Sequence, residues 1–266
     1  MTGVVHAFKR QVRDGRVTLA TGFPCLFRYN DDVDLNIRLV EHNHCMLALD
    51  GARNAVYEDE LNIDKHIIQS MCRNVVVRIP HFPRVYYYPQ LEELQEARRV
   101  LRHLPRPIIA LLTKASSYTP NKEWFDERWL STVRNLLSDN SIVQIGLSRS
   151  GVVPIQHPRF LALNRQTNIR QLGALLASVD LYLGPISGPM HLAAAVNTPA
   201  VVVCGGYEPA AKTNYWNQTK VVGAADCAPC WLKDRCEHRK CMAAITVEEV
   251  CSVVRQTMLR YAHVKR

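Results

Sequence analysis

From residue 107 onward, short apolar runs alternate with stretches whose apolar positions recur every three or four residues. That alternation predicts a parallel sheet covered by helices. IIALLT (108–113) is a predicted strand, followed by a loop of Lys, Ser, Thr, Pro and Asn. Phe125, Trp129, Val133 and Leu136 stand at helical spacing and predict a helix over 124–137. SIVQIGL (141–147), FLALN (160–164), 180–183 and AVVVCGG (200–206) read as further strands. Helices are predicted over 169–178 and from near His191 to Asn197. A last helix is predicted over 246–260, with Thr246 of a T-x-E-E run as its N-cap.

Residues 1–106 are less regular. VTLAT (17–21), HCMLALD (44–50) and VVVRI (75–79) suit strands, and 4–13 and 64–73 suit helices. The segment PQLEELQEARRVLRHLPRP (89–107) reads as a helix bridging to the second half. The expected division is therefore an N-terminal half over 1–104 and a C-terminal half over 105–266, with a boundary near 102–107. The chain opens on a helical pattern, whereas a parallel α/β domain normally opens on its central strand, so the first half reads as lacking its first strand.

The segment VDLYLGPISGPMHLAAAVNTP (179–199) places a Gly/Ser/Pro turn between an apolar run and a small-residue helix. The unpaired amides of a first helical turn and the positive end of its dipole make a seat for a phosphate or diphosphate. Gly184 and Gly188 let backbone come close, Ser187 is placed to cap or donate, and Ala193, Ala194 and Ala195 allow tight packing on the sheet. An ordinary strand-to-helix turn is the other reading of the stretch taken alone.

The chain has 266 residues, 47% hydrophobic and 21% charged, which suits a globular protein. It contains no apolar run of about 18 residues of the kind a membrane-spanning helix needs. The opening MTGVVHAFKRQVRDGR has no apolar secretory core, and a cytoplasmic location is expected. A net charge of +9 favours anionic partners. The basic residues are scattered, with short clusters at Arg98, Arg99 and Arg102 and in the tail 260–266. Without aromatic residues interleaved among them, nucleic acid is not an expected partner. The basic tail suits peripheral contact with anionic phospholipid headgroups, or is a solvated terminus.

Nine cysteines complete the picture. Cys25, Cys45, Cys72, Cys204 and Cys251 are isolated and read as small buried apolar residues. Cys227, Cys230, Cys236 and Cys241 follow C-x2-C-x5-C-x4-C, a spacing that favours a metal site over disulfides in a cytosolic chain. Four thiolates suit tetrahedral zinc or mononuclear iron with no open ligand position, hence a structural role. Free or paired thiols are the alternative.

The order of strand, LLTKASSYTPNKEWFDERW, strand, loop, NIRQLGALLASVDLYLGPISGPMHLAAAVNTPAVVVCGG and a Cys-rich segment resembles glycosyltransferase family 9, the heptosyltransferase-like enzymes. The resemblance covers residues 108–258 and extends more weakly into VTLATGFPCLFRYNDDVD. It implies a GT-B fold of two Rossmann-like halves with parallel sheets, the N-terminal half being incomplete here. It implies a nucleotide-sugar donor, typically ADP-heptose, on the C-terminal half, and a saccharide or protein acceptor on the other. By this resemblance Thr113 and Lys114 form the loop after the first C-terminal strand, and Lys122 meets the donor diphosphate. Ser187, Gly188, Pro189, Met190 and His191 form the turn that holds phosphate or ribose. A protein-glycosylating subgroup has an iron finger of four cysteines, matching the quartet here.

Two departures accompany the resemblance. Ile186 stands where the family usually has an acidic residue. The opening strand and its Gly-Asp loop, whose aspartate is expected to be the general base, have no counterpart, because VVHAFKRQ resembles the helix after them. No catalytic residue is therefore assigned, although Asp31, Asp32 and Asp50 lie in the first half. The expectation is an inverting, metal-independent glycosyltransferase. The alternative is an inactive nucleotide-binding or assembly relative, and a homo-oligomer in which another subunit supplies the missing strand is compatible with either.

Overall fold

The computed structural model describes residues 2–12, 15–21, 24–38, 46–48, 65–74, 78, 83–115, 119–147 and 151–262. They divide into two units, Met1–Tyr88 with Ala211–Trp216, and Pro89–Ala210 with Asn217–Arg266.

The first unit contains α1 (Thr2–Gln11), β1 (Thr18–Thr21), β2 (Leu35–Arg38), β3 (Met46–Ala48) and α2 (Ile67–Asn74). β1 is central among these strands. It pairs parallel with β2, Thr18 opposite Leu35, and antiparallel with β3, Leu19 opposite Leu47. The expectation of a purely parallel first sheet is thus corrected at β3. Val4, Val5 and Ala7 of α1, Leu19 of β1 and Ile68 of α2 are buried in this unit. β2 escaped the sequence reading because LNIR is short and follows the acidic DDVD stretch. Asp50, Cys45 and most of the expected strand 75–79 lie outside the described residues.

The second unit opens with α3 (Leu91–Leu101). The Glu93 carboxylate accepts a hydrogen bond from the Gln90 amide at 2.8 Å, which closes a capping box at the helix start. β4 (Ile108–Leu112), α4 (Asp126–Leu136), β5 (Ser141–Ile145), β6 (Phe160–Ala162), α5 (Ile169–Ser178) and β7 (Leu181–Pro185) follow. The chain continues through α6 (Gly188–Ala195), β8 (Ala200–Cys204), β9 (Gln218–Val222), α7 (Lys240–Ala244) and α8 (Val247–Tyr261). Arg170 of α5 grips Glu93 of α3 with two hydrogen bonds of 2.7 and 2.5 Å, so the helix read as a bridge packs within this unit. Thr246 caps α8 as expected, its hydroxyl accepting from the Glu249 amide at 3.1 Å.

The six strands form a wholly parallel sheet in the order β6-β5-β4-β7-β8-β9. Every residue of β4, β5, β7 and β8 is buried, the mark of a parallel sheet covered on both faces. Trp129, Val133 and Leu136 from α4 and Val250 and Val254 from α8 join one hydrophobic core against it. The strand order reverses between β4 and β7. In open α/β sheets the crevice beyond the carboxyl ends of the strands at such a reversal is where ligands bind. The two loops leaving β4 and β7 there are the one that begins Thr113-Lys114 and the turn Ile186-Ser187-Gly188.

Candidate functional site

The turn between β7 and α6 is open. Ser187 is the N-cap by backbone position, but its side chain does not cap the helix. Its hydroxyl donates instead to the Pro185 carbonyl at 3.1 Å and lies 3.0 Å from the Tyr182 hydroxyl, so of the two roles expected of it, to cap or to donate, it takes the second. Gly188 is exposed, and a Cβ built on it meets nothing within 4 Å. Gly184 is the opposite case. A Cβ there would fall 2.9 Å from the Leu112 carbonyl oxygen of β4 and 2.5 Å from the Tyr182 hydroxyl. Met190 is fully buried, and its carbonyl accepts from Gln218 Nε2 at 3.2 Å, so its side chain anchors α6 in the core. Pro189 and His191 are half-buried.

Lys122 ends a short 3-10 turn, Pro120–Lys122, which starts where the Thr119 hydroxyl accepts from the Asn121 amide at 3.2 Å. Its ammonium stands 2.5 Å from Glu208 Oε1 and 4.8 Å from the centre of the Tyr207 ring. Lys122 and Glu208 are only 12% and 7% exposed along their side chains. Ile186, at the head of the open turn, lines the same pocket with Val203, Cys204 and Gly205. Lys220 is half-buried and donates to the Ala210 carbonyl at 2.8 Å. Burial lowers the Lys220 pKa, opposed by Cys204 and Glu208 and helped by Lys122. Glu208 is thus in contact with the Lys122 ammonium and acts on Lys220 only through its charge.

Of the expected site residues only Lys122 lines this pocket; Ser187, Gly188, Pro189, Met190 and His191 do not, and neither do Thr113 and Lys114. Thr113 is buried, donates to the Gly151 carbonyl at 2.7 Å and accepts from Gln144 Nε2 at 3.1 Å, which ties the end of β4 to the loop after β5. The Lys114 ammonium pairs with Asp126 at 2.8 Å and Glu123 at 3.4 Å. Burial works to lower its pKa, but these two carboxylates prevail and raise it. Sequence reasoning missed Tyr207, Glu208 and Lys220. The only signal for them was the Gly205-Gly206 pair that closes β8 beside the turn.

In the first unit, Asp31 is exposed, whereas Asp32 Oδ2 stands 2.9 Å from Nδ1 of His6. The isolated cysteines divide. Cys72, Cys204 and Cys251 are buried as expected, but Cys25 is half-buried.

The four clustered cysteines all line one cavity of about 160 Å³, together with Asn121, Tyr207 and His238. Cys227 is exposed, the other three are half-buried, and none is in a disulfide. Among the described residues, no group of three or more His, Cys, Asp or Glu side chains stands in an arrangement able to hold a metal ion. The donor set suits a soft metal and its members share one cavity, but three sulfurs are not drawn to one point.

A family model described as glycosyltransferase family 9 (heptosyltransferase) matches residues 80–242. The lipopolysaccharide core heptosyltransferase OpsX of Haemophilus influenzae is 40% identical over 57 residues, 21% of this chain and 16% of that protein. The solved E. coli ADP-heptose LPS heptosyltransferase II is similar with a TM-score of 0.60 at 14% identity, covering 78% of this chain and 66% of that one. The iron-containing dodecameric glycosyltransferase TibC of enterotoxigenic E. coli gives a TM-score of 0.55 at 17% identity, covering 73% and 53%. The matched part of this chain therefore spans no more than 66% of any of these three relatives. At these identities the solved structures speak for the fold, of GT-B type, and they agree with the α/β class and parallel sheet read from the sequence. The family match covers more than half of the chain, and its residues include the Lys122 turn, the Ser187–His191 turn and the cysteine quartet: the chain belongs to glycosyltransferase family 9.

Proposed function

We propose that the chain is a glycosyltransferase that moves a sugar, heptose for preference, from a nucleotide diphosphate donor to a saccharide or protein hydroxyl. The observation that carries the reading is the pocket in which Lys122 and Glu208 meet beside the uncapped Ile186-Ser187-Gly188 turn, at the reversal of the parallel sheet. The gap itself, of about 10 Å³, has room for no more than a water, so a diphosphate would lie at its mouth against the exposed Gly188. The start of α6 offers fixed dipoles, and the Lys122 ammonium is a compact counter-charge that a diphosphate would share with Glu208.

In an inverting transfer the acceptor hydroxyl loses its proton as the donor diphosphate departs, and the departing charge is the larger electrostatic demand. Lys122 and the Ser187–His191 turn would meet that demand, with Gly188 leaving room for a phosphate against the backbone. Thr113 and Lys114 would support the turn from the neighbouring loop rather than touch the diphosphate. For the proton, Asp32 is the stronger candidate of the described aspartates named above, since His6 stands 2.9 Å from it and an imidazole can orient a carboxylate.

ADP-heptose is the preferred donor because the similar E. coli heptosyltransferase II is named for it. TibC's description as iron-containing and dodecameric supports two further parts of the proposal, a structural iron or zinc on Cys227, Cys230, Cys236 and Cys241, and a homo-oligomer. The metal would add only a cross-link in the loop, with no part in the transfer. The cytoplasmic location and the contact of the basic tail with anionic headgroups belong to the same proposal.

Calorimetry with ADP, UDP and GDP, followed by an assay of sugar transfer and donor hydrolysis with ADP-heptose, tests it. Saturable binding of ADP with turnover is expected. Failure of all three nucleotides to bind would overturn the proposal, and binding without any turnover would leave only a nucleotide-binding relative.

A further inference from the structure

The cysteine-rich segment is fastened to both walls of the Lys122 pocket. On one wall, Asn121 immediately precedes Lys122 and is 5% exposed. Its side-chain Nδ2 donates to the carbonyls of Leu232 and Asp234, both at 2.7 Å, and its Oδ1 accepts from the Cys236 backbone amide at 2.8 Å. Thr119, the residue that starts the same turn, donates to the Leu232 carbonyl at 3.1 Å. On the far side of Lys122, the Arg239 guanidinium donates to the Glu123 carbonyl and lies over the Phe125 ring at 4.5 Å.

The opposite wall is held in the same way. The Cys230 amide donates to the Gly206 carbonyl at 2.9 Å, and the Trp231 amide donates to the Tyr207 carbonyl at 3.0 Å. The Trp231 ring meets the Tyr207 ring edge-on at 5.6 Å. Tyr207 lines both the cysteine cavity and the Lys122 pocket, and Asn121 lines the cysteine cavity. Trp231 and Arg239 hold φ of 50° and 45°, left-handed values that cost energy and persist only where the surroundings fix them.

Each residue of the ion pair therefore follows a residue bonded to the same short segment: Lys122 follows Asn121, and Glu208 follows Tyr207. An ammonium on a flexible four-carbon stem is aimed by its backbone, and here that backbone is set from outside the pocket. We propose that Asn121 is a positioning residue which transmits the state of the cysteine-rich segment to Lys122, so that chemical change at the four thiols alters the seat of the Lys122 ammonium. The link to donor binding rests on the proposed function, but the link to Lys122 itself does not.

Two measurements on the full chain separate these. In the first, Lys122 is acetylated with a limiting amine-reactive ester and quantified by mass spectrometry. We expect Asn121→Ala to acetylate several-fold faster at Lys122 than the parent, and the parent alkylated at its exposed Cys227 with N-ethylmaleimide to shift the same way. Unchanged labelling of Lys122 in both would overturn the proposal, and the alkylated parent decides alone if the variant does not fold. The second is an ADP titration of Asn121→Ala, Lys122→Ala and the double variant. Asn121→Ala is expected to weaken ADP by about tenfold in the parent and by less than about twofold once Lys122 is absent, because the two residues act as one. Equal losses in both backgrounds would mean that Asn121 merely supports the fold and would overturn the positioning role. A parent that binds none of ADP, UDP and GDP would sink the proposed function, while the Lys122 labelling would still decide the inference.

Discussion

Lys122 and Glu208 form an ion pair of 2.5 Å that is almost wholly withdrawn from solvent beside the Tyr207 ring. Removing one charge leaves the other buried, which costs more than removing both. Lys122→Met should therefore lower the melting temperature further than the double variant Lys122→Met, Glu208→Gln, as thermal denaturation will read. ADP affinity should fall at least about tenfold in Lys122→Ala, the size of a lost charge-assisted contact. Unchanged affinity would remove Lys122 from the diphosphate site.

The two glycines flanking the turn should behave oppositely. Gly184→Ala forces a methyl against the Leu112 carbonyl and the Tyr182 hydroxyl, and should destabilise the second unit by about 1–3 kcal/mol in urea denaturation. Gly188→Ala meets open space and should leave stability nearly unchanged, while weakening ADP by occupying the place where a phosphate would approach. Normal ADP binding by Gly188→Ala would show that the ligand does not lie against that residue.

Thiol reactivity should separate the buried from the clustered cysteines. Burial pushes the Cys204 thiol up to about 11, with Lys220 opposing and Glu208 adding to the rise. Because the thiolate is the reacting form, Cys204 should stay unmodified by iodoacetamide at pH 8 in the folded chain stripped of metal by a chelator, while Cys227 is alkylated. Peptide mapping by mass spectrometry reads both at once, and early labelling of Cys204 would contradict its burial.

In the first unit, Asp34 accepts from the Lys9 ammonium at 2.7 Å and from the Val17 amide at 2.6 Å, and these bonds, Lys9 first, lower its pKa. A carboxylate with a depressed folded pKa stabilises the fold above its ordinary range, and the stabilisation disappears as pH falls through the folded value. Asp34→Asn should therefore lower thermal stability at neutral pH, and the difference from the parent should shrink on acidification below pH ~4, the ordinary aspartate range. A difference that persists at low pH would mean that the side chain acts through shape rather than charge.

The second unit was largely legible in the sequence because its strands are buried on both faces and so read as continuous apolar runs. Ile108–Leu112 and Ala200–Cys204 are of this kind. β9 was not legible, since Gln218, Thr219 and Lys220 carry no such run and the strand sits at the edge of the sheet. The turn around Ser187 was visible from its glycines and prolines, but the turn of the Ser187 hydroxyl toward Pro185 was not, because the Tyr182 hydroxyl reaches it only through the fold. Glu208 was missed for a similar reason. It lies 86 positions from Lys122, and only the parallel pairing of β8 beside β7 carries its loop to that pocket.

Metal analysis decides the quartet. Protein purified without an affinity tag is expected to contain close to one equivalent of iron or zinc, lost when Cys227 and Cys230 are replaced by serine. Only traces of metal in the parent would assign the four sulfurs to free thiols.

The placing of the indole rings gives this chain a built-in optical probe. Trp124 and Trp129 stack edge to face in the core, with Trp124 two positions after Lys122, while Trp231 borders Tyr207 and Trp216 is exposed. With Trp216→Phe, emission would come only from rings of the second unit. A nucleotide titration followed by fluorescence would then watch the Lys122 neighbourhood directly, and unfolding of that half would register as a red shift without any attached dye.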